Sequence, residues 1–175
     1  MPSILLVKTS SLGDVVHNLP VVSDIQRCVP HAAVDWVVEE SYGPIPRLHG
    51  GVRSVIPVSV RRWRKSWWRR ETRRELSAAM ARLREGGYDA VIDTQGLLKS
   101  ALLARAAHGP RHGLDWASSR EPLGWLYDRT FHVSWKLHAV ERNRELAALA
   151  LGYERPQGVD YGLEPRRGMA QTGGR

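Results

Sequence analysis

The run Thr9-Ser10-Ser11-Leu12-Gly13-Asp14 carries the residues with the clearest chemical potential. It follows the apolar stretch Ser3–Lys8, and in an open α/β sheet ligands gather beyond the carboxyl ends of strands. Gly13 is expected to permit a tight turn, and a helix starting there offers unpaired N–H groups to an anion. Asp14 at that mouth could accept a proton from an attacking hydroxyl. It could also simply cap the helix, the commoner use of an acidic residue in such a place. The glycine pattern is not that of a dinucleotide fingerprint, which argues against bound NAD.

A second constellation is Val60–Arg74, VRRWRKSWWRRETRR, where Trp63, Trp67 and Trp68 alternate with guanidinium groups. Arginine takes phosphate or carboxylate bidentately, and tryptophan tolerates a half-apolar boundary. Trp63 and Trp67 are four apart and share a face if the segment is helical. The combination suits an anionic glycolipid or membrane surface, with nucleic acid as the competing partner. The plain alternative is a solvated basic face with its tryptophans tucked into the core.

Weaker signals follow. Asp93-Thr94-Gln95-Gly96, with Lys99, ends a strand at the same sheet edge as Asp14. Asp93 there is either a second catalytic acid or, more ordinarily, the cap of the next helix. His108-Gly109-Pro110-Arg111-His112-Gly113 has no third ligand at metal-binding spacing and reads as a turn. Arg120 with Glu121-Pro122, and His138 near Glu141 and Arg142, are polar groups at loop and helix starts.

The elements that must position these groups alternate between strand and helix. Strands are expected at Ser3–Lys8, Ala33–Val38, Val52–Val58 and Tyr88–Asp93. Helices are expected over roughly 14–27, with Pro20 as a kink or late start, and over 71–85, 97–107 and 137–151, the last ending at Gly152. Residues 116–127 read as irregular or short-helical. This pattern predicts an α/β, Rossmann-like parallel sheet with helices on both faces. The 175 residues, 42% hydrophobic and 25% charged, have a globular composition. No apolar run reaches the length of a membrane span, and no basic region precedes the N-terminal apolar run, so neither a transmembrane segment nor a signal peptide is expected. The lone Cys28 excludes an internal disulfide or a multi-cysteine zinc site. Net charge is +8, with 22 arginines among 26 basic residues. Arg53–Glu75 alone holds nine basic residues against Glu71 and Glu75, so nearly all the excess belongs to one segment, which implies an anionic partner.

Taken together, KTSSLGDVVHNLP at the start, DWVVEE at 35–40, VIPVSVRRWRK at 55–65, YDAVIDTQGLLKSA at 88–101, HGLDW and REPL within 112–123, and HAVERNRELAALALGY at 138–153 resemble the ADP-heptose glycosyltransferases of family 9. The similarity is to their lipopolysaccharide heptosyltransferase I branch and runs in order over about residues 3–161. It implies the N-terminal acceptor domain of a two-domain GT-B fold. The implied reaction moves heptose from ADP-heptose to the 3-deoxy-D-manno-octulosonic acid of inner-core lipid A, with inversion and without a metal. The family's aspartate base maps onto Asp14. Its acceptor-binding groups map onto Ser10, Arg61, Arg62, Arg64, Lys65 and Arg120. The implied partner is the anionic lipid A acceptor, met peripherally at the cytoplasmic face of the inner membrane of a Gram-negative bacterium, with no nucleic acid.

Length departs from the family. From about Gly162 the pattern is expected to stop, leaving a domain over 1–161, a loose tail over 162–175, and no donor domain. No cofactor is expected, ADP-heptose being a co-substrate whose main binding domain is missing. The chain then reads as a truncated product, inactive alone unless another chain supplies that half. The rival reading is a non-catalytic Rossmann-like module that binds nucleic acid or anionic membrane through its Arg/Trp segment.

Overall fold

The structure is a computed structural model and describes residues 1–163. Its centre is one sheet of six strands: β1 (Ser3–Val7), β2 (Ala33–Glu39), β3 (Val52–Val58), β4 (Ala90–Asp93), β5 (Arg111–Leu114) and β6 (Arg129–Phe131). They lie in the order β3-β2-β1-β4-β5-β6, and every neighbouring pair is parallel. The near-continuous apolar runs are what a sheet covered on both faces requires. Along β1, Ile4 and Leu6 point into one layer while Leu5 and Val7 point into the other.

The first layer is closed by α1 (Leu12–Val16), α2 (Leu19–Cys28) and α6 (Ala139–Leu151), through Val15, Leu19, Val22, Ile25 and Leu146. α2 and α6 are also tied by a buried ion pair, Arg144 Nε to Asp24 Oδ2 at 2.7 Å and Nη2 to Oδ1 at 3.1 Å. The second layer is closed by α3 (Val60–Ser66), α4 (Arg70–Glu85) and α5 (Leu98–Ala106), through Trp63, Ala79, Leu83, Leu103 and Ala104.

Three expectations change. The helix over 14–27 is two helices parted at His17-Asn18, because Pro20 lacks an N–H and fits only the first turn, so α2 begins at Leu19. Gly13 lies inside α1 outside the left-handed region, with open space where a Cβ would stand, so no tight turn demands it. The stretch read as a turn at 108–113 turns only at Gly109; Arg111–Leu114 is strand β5, with His112 buried and stacked on Phe131 at 6.0 Å. Here a glycine is required: a Cβ on Gly113 would lie 2.5 Å from the Tyr127 ring. Strand β6 was not foreseen. Residues 116–127 hold only a 3-10 turn, Gly124–Leu126. The basic stretch becomes α3 and the first turns of α4. Of the tail placed at 162–175, Gly162 and Leu163 are described, Leu163 bridging to His49, and the rest lies outside the described residues.

Candidate functional site

The sheet order reverses between β1 and β4, so the loops after these two strands diverge and leave a crevice at the carboxyl edge. A cleft of about 220 Å³ lies there, lined by Lys8, Ser10 and Asp14 from the β1 side and by Thr94–Leu97 after β4. Ser118–Arg120, Trp135 and the first turns of α6, with Arg142 and Asn143, complete it.

The β1 loop is held by named bonds. Gln95 Oε1 accepts from the Thr9 N–H at 2.6 Å, from the Thr9 hydroxyl at 2.7 Å and from the Ser10 N–H at 3.3 Å. Lys99 Nζ donates to Ser10 Oγ at 2.7 Å. Trp36 Nε1 donates to the Lys8 carbonyl at 3.1 Å. Ser10 is therefore a fixed hydroxyl.

Asp14 holds the helix start with one oxygen and leaves the other unengaged. Its Oδ2 accepts from the Ser11 N–H at 3.0 Å and the Ser11 hydroxyl at 2.9 Å, which ties off the start of α1. Among the described residues Oδ1 has no hydrogen-bond partner, so one oxygen caps while the other is free in the cleft. Burial works against ionisation, but the two Ser11 bonds, Lys8 and His17 outweigh it and hold Asp14 below the usual carboxylate range. Asp14 is charged at neutral pH.

Three basic side chains line the cleft with it. Lys8 is buried, donates from Nζ to the Thr94 carbonyl at 2.9 Å and keeps further N–H groups. Burial lowers its pKa, opposed by Asp14 and Asp93. Arg142 spans the cleft wall, donating to the carbonyls of Val133, Ser134 and Ser118, with its guanidinium 4.0 Å over the Trp135 ring. Burial, then Arg120, lowers its pKa. Arg120 is exposed and makes no ion pair among the described residues. The cleft thus offers one carboxylate and three cations to a ligand with hydroxyl and oxyanion groups.

Asp93 is not part of this chemistry. It is wholly buried; Oδ1 accepts from the Gln95 and Gly96 N–H groups at 2.9 and 3.1 Å, and Oδ2 from the Tyr127 hydroxyl at 2.7 Å. Burial pushes its pKa up. It ties off the turn at Gln95-Gly96 and does not cap the next helix as expected, because α5 starts only at Leu98, whose N–H is taken by Glu121 Oε2 at 2.7 Å.

The candidate residues divide between two places. Ser10, Asp14 and Arg120 meet in the cleft, whereas Arg61, Arg62 and Lys65 line a separate open concavity with Arg69 and Glu75. Arg64 lines neither. Arg62 is paired with Glu75 at 2.8 Å and Glu40 at 3.4 Å; Arg61, Arg64 and Lys65 make no ion pair among the described residues. The tryptophans divide too. Trp63 is buried and donates to Glu75 Oε2 at 3.1 Å, while Trp67 and Trp68 are exposed. Sequence reasoning missed Lys8, Arg142 and Asn143 as cleft residues. A lysine ending the apolar strand was a signal for the first; Arg142 was noted only as a polar group at a helix start, and nothing marked Asn143.

Among the described residues, no cluster of three or more His, Cys, Asp or Glu could hold a metal ion, and no helix is long and apolar enough to cross a membrane.

The sequence profile of glycosyltransferase family 9 (heptosyltransferase) matches residues 77–172, running past Gly162. Lipopolysaccharide heptosyltransferase 1 of Escherichia coli K12 is 52% identical over 156 residues, 88% of this chain and 49% of that protein. Its namesake from Pseudomonas aeruginosa is 52% identical over 164 residues, covering 92% and 46%. The solved E. coli heptosyltransferase WaaC with ADP superposes with a TM-score of 0.89 at 50% identity, over 92% of this chain and 51% of that one. E. coli ADP-heptose lps heptosyltransferase II, at 22% identity and a TM-score of 0.69, shares the fold over 96% and 48%. The chain spans about half the length of the relatives it matches.

Proposed function

The chain belongs to glycosyltransferase family 9, the heptosyltransferases, and on that premise we propose that it is the acceptor-binding half of a lipopolysaccharide heptosyltransferase I. The reaction is inverting transfer of heptose from ADP-heptose to a hydroxyl of the 3-deoxy-D-manno-octulosonic acid on inner-core lipid A, without a metal. The acceptor oxygen forms a bond to the anomeric carbon as the bond to ADP breaks, and the hydroxyl proton passes to Asp14 Oδ1. ADP leaves as the anion. Ser10, anchored by Lys99, and Arg120 hold the acceptor sugar. Arg61, Arg64 and Lys65 meet its more distant phosphate or carboxylate groups, with Arg62 partly neutralised by Glu75. The enzyme works at the cytoplasmic face of the inner membrane of a Gram-negative cell.

The observation that carries this reading is the unpartnered Asp14 Oδ1 in a cleft whose other charges are Lys8, Arg120 and Arg142. Ground-state affinity comes from the cations and the proton transfer from the carboxylate, a separation that lets the chemical step be stabilised beyond mere binding. Binding of a deacylated, phosphorylated inner-core acceptor to this chain, followed by calorimetry, tests it. Arg120→Ala is expected to weaken binding about tenfold, the scale of one charge-assisted hydrogen bond. Undiminished affinity in that variant would remove the acceptor from this cleft.

A further inference from the structure

We propose that the corner between α3 and α4 is a membrane-docking element, in which Trp67 and Trp68 enter the bilayer interface while the arginines around them lie on anionic phospholipid headgroups. The inference rests on the acceptor reading above for its purpose, since that acceptor is itself lipid-borne, but its physical basis is separate.

Trp67 and Trp68 are 67% and 60% exposed, although Trp63, one turn earlier, is buried and bonded to Glu75. Trp63 fixes α3 to the core, so the two indoles project from an anchored turn. They touch only edge to face, with ring centroids 6.4 Å apart and planes at 84°. Neither indole N–H has a partner among the described residues. An exposed apolar ring with a free donor suits a bilayer interface, where one end is apolar and the other wet.

Charge supplies the second requirement. Residues 61–74 carry eight basic side chains against Glu71. Arg70, Arg73 and Arg74 are exposed and make no ion pair among the described residues. Because the rest of the chain is nearly neutral, the attraction is directional and turns this corner toward a negative surface. α3 is too short to lie in the membrane plane as an amphipathic helix. Docking by headgroup charge and two rings is accordingly reversible and salt-sensitive.

Topology puts the start of this element at the cleft's edge of the sheet: α3 leaves the carboxyl end of β3, two strands from β1, whose following loop lines the cleft, and the corner follows at the end of α3. Single-stranded nucleic acid is the less fitting partner, because successive bases need stacking platforms and these rings cross nearly at right angles.

Co-sedimentation with vesicles that contain no glycolipid tests the proposal. The chain is expected to bind vesicles of phosphatidylethanolamine with phosphatidylglycerol, to ignore pure phosphatidylcholine, and to release as salt rises. Trp67→Ser with Trp68→Ser should lower partitioning about tenfold. Arg70→Gln, Arg73→Gln and Arg74→Gln together should lower it by roughly fivefold per charge. Neither variant touches the core, so circular dichroism stays that of the parent, and affinity for the soluble deacylated acceptor is unchanged. Vesicle binding without acceptor binding would support docking while removing the acceptor reading. Equal vesicle binding by parent and variants would overturn the proposal, as would retention on single-stranded DNA with no vesicle binding.

Discussion

Asp14→Asn separates the role of this carboxylate at the helix start from its proposed role as base once a nucleotide-sugar half is joined to the chain. An asparagine oxygen can still accept both Ser11 bonds now made by Oδ2, so the helix start survives. What is lost is charge assistance, which roughly doubles a hydrogen bond, and the favourable placing of an anion in a first helical turn. Ser11 is exposed and Asp14 only half-buried, so screening keeps the stability cost to about 1 kcal/mol or less. Loss of the base is larger, about 10²–10⁴-fold in kcat, or roughly 3–5 kcal/mol of barrier. Steady-state transfer assays paired with acceptor calorimetry should show kcat collapsing while acceptor Kd stays within about twofold. The pH dependence adds a second readout. Asp14 titrates below the usual carboxylate range, so the acidic limb of kcat/KM is expected below that range as well. Ser11→Ala removes one of the bonds that hold it down and should move that limb upward. The same depression means that Asp14 contributes stability above its unfolded pKa and loses it as pH falls through the folded value. A fused enzyme whose Asp14→Asn form keeps a rate within about threefold of the parent would refute the assignment.

Arg144→Met should cost about 3–5 kcal/mol in urea unfolding, because it strands Asp24 without its bidentate partner in the interior. Adding Asp24→Leu should recover much of that loss, and a single-variant cost under about 1 kcal/mol would show the pair to be dispensable. Acceptor affinity should fall by about 1 kcal/mol for Arg61→Ala or Arg64→Ala and by less for Arg62→Ala, whose guanidinium is already engaged by Glu75 and Glu40; calorimetry at low and high salt checks the order. The 175 residues alone should bind acceptor but show no heptosyl transfer from ADP-heptose, since the reading assigns the groups that stabilise departing diphosphate to the other half; turnover by the isolated chain would contradict it.

The first four strands, α4 and the last helix were legible because each buries a run or stripe of its own apolar residues, a local property of SILLV, AVDWVVE or AVID. Residues 111–114 and 129–131 gave no such sign. RHGL and RTF are short and polar, and they are strands because β4 pairs with the first and the first with the second. Asp14 stood out by type and motif, Arg120 only through the family resemblance, and Pro20 announced that the first helix could be kinked or start late. Only the tertiary structure decided that one oxygen of Asp14 caps while the other is open, and that Arg61, Arg62 and Lys65 sit apart from Ser10 and Arg120. It also decided that of three similar tryptophans Trp63 is core while Trp67 and Trp68 are surface. Residue type and spacing determine what a segment can bury along its own length. Which oxygen is free, which arginine is paired and which ring is covered depend on atoms contributed by segments distant in the chain, here Glu75, Lys8 and the start of α6.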